Sequence, residues 1–138
     1  MIRRSNWERR LAVYLDGHRG AVFRYGRLDC ALFAAGAVKA MTGKDPARGF
    51  RSKYRSQASA VRAIRAAGFE DLAAVVSSKF EAIAPAFARR GDLVMDRDGS
   101  LGVCVGREAL FVGEEGGLAG LVRQPISAWA KAWRVAFG

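Results

Sequence analysis

The chain has 138 residues, with 23 Lys+Arg against 13 Asp+Glu, a formal net charge of +10, two cysteines and one histidine. That length suits one domain over residues 1–138, and a hydrophobic fraction of 51% is too high for a disordered basic tail. Two cysteines rule out a disulfide-dense scaffold, Cys and His together are too few for a multi-ligand zinc site, and no cofactor is expected.

The elements follow in chain order. Ser5 and Glu8 have capping-box spacing, and Trp7, Leu11, Tyr14 and Leu15 recur at helical spacing before Gly17 offers a stop. Arg3, Arg4, Arg9 and Arg10 are expected on the outer face of this helix. A loop from Gly17 through His18 to Gly26 has Phe23 and Tyr25 as apolar anchors. Asp29 is a good N-cap for a second, Ala-rich helix running from Cys30 to Met41 and ending at Gly43. A basic irregular stretch follows, with Phe50 and Tyr54 interleaved among Arg48, Arg51, Lys53 and Arg55. A third helix is predicted from Ser56 to Ala67 and a short fourth from Glu70 to Ser77. From Arg90 the pattern changes to short β runs, Gly91–Met95, Leu101–Val105 and Ala109–Gly113, separated by turn residues. Leu118–Arg123 offers another strand, Ser127–Lys131 a helical turn, and Trp133–Phe137 a closing strand. Helices first and an antiparallel sheet afterwards define an α+β domain.

Met1 to Leu11 lacks the ~7–15-residue apolar run of a signal peptide. The longest uncharged apolar stretch starts at Cys30 and stops at Lys39, short of the ~18 residues of a membrane span. These features predict synthesis in a reducing cytoplasm, with Cys30 and Cys104 as free thiols.

Cys30 is the most chemically suggestive residue. A thiol in the first turn of a helix feels the positive end of the macrodipole, which favours the thiolate nucleophile of cysteine hydrolases. The plainer reading is a small buried hydrophobe on an apolar helix.

Three short motifs carry a resemblance. Phe23-Arg24-Tyr25-Gly26 followed by Asp29-Cys30-Ala31, then Arg90-Gly91-Asp92-Leu93-Val94, then Ser100-Leu101-Gly102-Val103-Cys104-Val105-Gly106 resemble, in order and spacing, the signature of NlpC-type papain-like cell-wall peptidases. The resemblance implies a papain-like fold: N-terminal helices, the cysteine on a central helix, and that helix packed on a small antiparallel sheet. It also implies that Cys30 stands where the family has its nucleophile and that Asp92 is a structural aspartate. The position of the family's base histidine is occupied by Ser100, whose hydroxyl is no base near neutral pH. Without a base, the thiol lacks the proton acceptor that contributes ~10²–10⁴-fold to rate. His18 is the one imidazole that a loop fold-back could bring to Cys30, and a surface role is its alternative. Cys104 shares strand parity with Ser100, which would turn it toward the Cys30 helix, and a buried core thiol is its expected role.

The whole-chain pattern also resembles a family of short phage tail-cluster proteins, through Trp7, Gly26 to Cys30, Arg48 to Tyr54, Gly91-Asp92 and Trp133-Arg134-Val135. That likeness implies a structural part of the tail tip or baseplate, made in the host cytoplasm, carried in the virion and docked on a tail hub or another baseplate protein. Arg3, Arg4, Trp7, Arg48, Arg51 and Tyr54 are the expected docking residues, because Arg beside aromatics supplies interface anchors. Two other readings stand beside it. One is an active cysteine peptidase or amidase acting on peptidoglycan stem peptides, with Cys30 as nucleophile and His18 as base. The other is a nucleic-acid-binding protein, suggested by charge but unaccompanied by a recognised nucleic-acid-binding motif.

Overall fold

The computed structural model describes residues 1–137. It contains four helices, α1 (Trp7–Asp16), α2 (Cys30–Thr42), α3 (Gln57–Ala66) and α4 (Leu72–Ser77). The strands are β1 (Glu81–Ile83), β2 (Leu93–Asp96), β3 (Leu101–Cys104), β4 (Glu108–Glu115), β5 (Leu118–Pro125) and β6 (Trp129–Arg134). They form one sheet of order β1-β6-β2-β3-β4-β5, with every neighbouring pair antiparallel. The expected α+β class is therefore what the chain adopts. No helix among the described residues is long and apolar enough to cross a membrane.

The alternation of side chains along each strand explains the core. Leu93, Met95, Leu101, Val103, Leu110 and Val112 point to the face covered by α1 and α2, where they meet Leu11, Phe33, Val38 and Met41. Val94, Cys104, Ala109, Phe111, Trp129 and Ala132 form a second cluster from the intervening positions. Cys104 is thus buried as expected but lies on the face away from α2, because the helix-facing parity is that of Leu101 and Val103 rather than of Ser100. Its thiol donates to the Gly106 carbonyl at 3.1 Å. Gly102 is small for a packing reason: a Cβ there would press on the Phe111 ring and the Leu110 carbonyl.

A buried ion cluster ties the chain ends to the sheet. Asp92 is fully buried, and its Oδ1 accepts from Arg3 Nη2 at 2.7 Å and from the Val135 N–H at 3.1 Å. Its Oδ2 accepts from the Arg89 N–H at 2.9 Å and from Arg134 Nε at 3.2 Å. Arg3 also donates to the carbonyls of Val135 and Arg90, and its guanidinium lies 4.2 Å from the Trp7 ring centroid and 4.1 Å from that of Phe137. Such stacking on aromatic faces is favourable for a weakly hydrated guanidinium. Asp92 is thus a structural aspartate. Arg3, expected on a solvated docking face, is a core residue instead.

Local predictions fared unevenly. The Ser5–Glu8 capping box does not form: Asn6 precedes α1 without a side-chain cap. The segment before α1 is held by backbone bonds: the Arg3 and Arg4 N–H groups donate to the Ala136 and Met41 carbonyls, and the Trp7 N–H donates to the Arg4 carbonyl. Asp29 caps α2 as expected, and the structure adds Ser56 and Asp71 as the caps of α3 and α4. Gly43 ends α2 in the left-handed conformation that favours glycine, at φ +82°. The helical turn expected at 127–131 shrinks to Ile126–Ala128, and the closing strand starts at Trp129 rather than Trp133. Pairing with β2 decides this, because Trp129, Lys131, Ala132 and Trp133 all find partners there. β1, which pairs only with β6, was not visible in the sequence pattern.

Candidate functional site

The site is assembled around the start of α2. Gly26 has φ +79°, and a Cβ there would overlap the Tyr54 carbonyl oxygen, so both conformation and space call for glycine. Asp29 is buried and fully engaged: its Oδ1 accepts from the Leu32 N–H at 2.9 Å, and its Oδ2 accepts from the Gly26 N–H at 3.1 Å and from the Tyr54 hydroxyl. The Gly-x-x-Asp-Cys run and the distant Tyr54 are therefore one structural unit. Tyr54, expected as a docking residue, is a buried clamp on the helix start. Burial and the Asp29 carboxylate hold its phenol well above the usual tyrosine range.

Cys30 is the first residue of α2 and is half-buried. It lies in a groove of about 480 Å³, within the range of ligand sites. Tyr25 and Phe50 contribute aromatic wall, Val61 and Ile64 of α3 and Val75 of α4 contribute aliphatic wall, and Ser100 closes the side formed by the β2–β3 turn. Asp96 shapes that turn by accepting from the N–H groups of Asp98 and Ser100, both at 3.0 Å. The structure thus brings Cys30 and Ser100 into one groove.

It does not bring His18 there. His18 Nδ1 donates to the Tyr14 carbonyl at 2.7 Å, which leaves the neutral ring with its proton on Nδ1. The ring lies 4.1 Å from the Tyr14 ring centroid and 6.0 Å from that of Phe33, and His18 is not among the residues lining the groove.

The expected thiolate is also reversed. Burial pushes the Cys30 thiol above its ordinary value, and the carboxylates of Asp29 and Asp96 push the same way. Backbone N–H groups of Leu101 and Ala31 pull it down, but less. The macrodipole argument loses chiefly because the thiol is buried at the helix start, and the neighbouring Asp29 carboxylate adds to that in the same direction. Near neutral pH the groove therefore holds a protonated thiol, with Ser100 among its other lining residues.

The remaining expected docking residues divide. Arg4 and Arg48 are exposed, while Trp7 is half-buried against the core and stacks on Arg3. Arg51 is half-buried, pairs with Asp45 and donates to the Leu32 carbonyl at 3.4 Å. Sequence reasoning missed the groove itself. Its available signal was α3, whose apolar Val61 and Ile64 sit on a helix with no fully buried residue. Among the described residues, no group of three or more His, Cys, Asp or Glu side chains could hold a metal ion.

Fold and site together define an α+β domain with a cysteine at the start of a central helix, facing an apolar groove. The chain belongs to a family described as a domain of unknown function, DUF6950, which matches residues 2–135. No curated protein matches it.

Proposed function

We propose that this chain is a non-hydrolytic structural component of a phage tail tip or baseplate, built on a papain-like, NlpC-type frame that has lost its base. The observation that carries the non-hydrolytic half is the lining of the groove: it includes Cys30 and Ser100 but not His18, which is engaged by the Tyr14 carbonyl. The protonated state of the thiol supports the same reading. The frame is supported by the order of the three motifs and by the placement of Cys30 on a helix that packs against an antiparallel sheet. The tail assignment rests on the whole-chain resemblance. A basic surface including Arg4 and Arg48 is suited to an acidic hub or baseplate protein.

Two measurements test this. A Cys30→Ser variant is expected to support assembly of infectious particles containing the chain; loss of infectivity with normal folding and assembly would overturn the inert-thiol reading. Mass spectrometry of purified virions is expected to find the wild-type chain, and its absence from them would remove the tail role.

A further inference from the structure

Two basic turns outside the groove are locked together by their backbones. In the first, the Arg24 and Leu28 N–H groups donate to each other's carbonyls at 2.8 Å, and the Arg27 N–H donates to the Arg24 carbonyl at 3.1 Å. In the second, the Ser52 N–H donates to the Gly26 carbonyl at 2.9 Å, from a backbone φ of +62° in the left-handed region. Gly26 abuts the Tyr54 carbonyl, and the Tyr54 hydroxyl is held by Asp29. The backbone that carries Arg24 and Arg27 is thereby fixed against the one that carries Lys53 and Arg55. All four residues are exposed, and none forms a salt bridge within 4.0 Å among the described residues. No local carboxylate offsets them. From Gly17 to Phe69 the acidic residues are Asp29 and Asp45. Asp29 is engaged by Gly26, Leu32 and Tyr54, and Asp45 by the Arg51 side chain and the Ala47 N–H. Asp16, just before this span, pairs with Arg19. Glu70, Asp71 and Asp98 stand along the groove, which none of the four cations lines. Directly before Arg24 stand Val22, 62% exposed, and Phe23, 39% exposed at the groove rim.

We propose that this pair of turns is the docking surface of the chain, and that it takes an acidic protein segment carrying an apolar side chain. This deepens the tail-component reading and rests on it for the partner's place in the virion. Cations on turns already fixed to each other lose little freedom when a partner arrives. The arginine fork matches a carboxylate with two parallel bonds. Val22 and Phe23 add the apolar contact found at the centre of protein interfaces. They suit a nucleic acid poorly: Val22 gives a base no face to stack on, and Phe23 is already packed edge to face against Tyr25 at 4.9 Å. The Asp29–Tyr54 clamp then has a second consequence, since it holds the two cationic turns at a fixed separation.

The test is fluorescence anisotropy with the full chain at near-physiological salt, ~0.15 M. The probes are fluorescein-labelled dodecapeptides rich in Asp and Glu, with or without a central Leu-Leu pair, and a short DNA duplex. The acidic peptide with the leucine pair is expected to bind most tightly. The triple variant Arg24→Ala, Arg27→Ala, Lys53→Ala is expected to weaken it at least ~10-fold. The control Arg9→Ala, Arg89→Ala, Arg107→Ala removes the same charge from exposed positions elsewhere and should stay within ~3-fold. Equal losses in the two variants would mean that net charge alone binds the peptide, and would overturn the proposal. So would no binding of the acidic peptides, binding indifferent to the leucine pair, or tighter binding of the duplex, which would assign the surface to phosphate. The tail reading fails separately: absence of the chain from purified virions would remove it while leaving this surface and its acidic ligand in place.

Discussion

Asp29 and Asp92 are both buried aspartates at the edges of secondary-structure elements, and both draw donors from distant parts of the chain. They are compensated differently. Asp92 faces two arginines, Arg3 and Arg134, and two backbone N–H groups. Asp29 faces two backbone N–H groups and the Tyr54 hydroxyl, with no arginine or lysine ion pair. The first arrangement neutralises charge and closes a core. The second leaves the field of a carboxylate beside the thiol it positions, which is one reason that the Cys30 thiol stays protonated. The same side chain therefore builds a rigid corner in one region and, in the other, adds to the burial that raises the neighbouring thiol.

The largest expected effect of breaking this contrast is at Asp92. Asp92→Ala leaves Arg3 buried without its counter-ion, which costs about 3–5 kcal/mol. Urea unfolding followed by circular dichroism should show a correspondingly early midpoint, out of a total stability of only ~5–15 kcal/mol for a domain.

Tyr54→Phe is the matching change at Asp29. It removes one donor from a buried carboxylate and should cost about 1–3 kcal/mol in the same assay. A loss as large as that of Asp92→Ala would show that the two aspartates are not compensated differently after all.

Asp29→Asn sharpens the electrostatic half of the comparison. Asparagine remains a good N-cap, so α2 should persist, while one of the charges that raise the Cys30 thiol disappears. Iodoacetamide alkylation measured across pH should therefore reach half-maximal rate at a lower pH than in the wild type. An unchanged midpoint would assign the shift to burial alone.

A broader pH effect follows from both thiols. Cys30 and Cys104 are raised chiefly by burial, so the unfolded chain releases their protons first, near ~8.5. Their contribution to stability is full below that pH and is lost as pH rises through the folded values. Urea midpoints measured between pH 7 and 10 should fall, and Cys104→Ala should flatten the decline relative to its own value at pH 7. The smallest effect belongs to the exposed basic surface: Arg48→Ala should change stability by no more than ~0.5 kcal/mol.

Much of the fold was legible because it depends on local signals. Asp29, Ser56 and Asp71 cap helices through bonds to residues three positions on, and the strands from Leu93 to Val112 carry a period of two. The errors fall where a long-range bond displaced a local one. The unformed Ser5–Glu8 capping box directly follows a segment whose Arg3 and Arg4 N–H groups are held by the distant Ala136 and Met41 carbonyls. Trp129 entered a strand because β2 offered partners.

The candidate site divides along the same line. Sequence by itself determined that Cys30 starts a helix behind an aspartate, that Ser100 occupies a turn ahead of a strand, and that only one imidazole exists in the chain. Tertiary structure alone decided that Cys30 and Ser100 share a groove, that His18 is engaged by Tyr14 and that Tyr54 clamps Asp29. It also decided that Arg3 is a buried counter-ion rather than a surface charge. The physical reason is the range of the forces involved. Capping and strand alternation act between near neighbours in sequence, whereas burial and charge pairing depend on what the folded chain brings alongside, as with Arg3 and Val135, 132 residues apart.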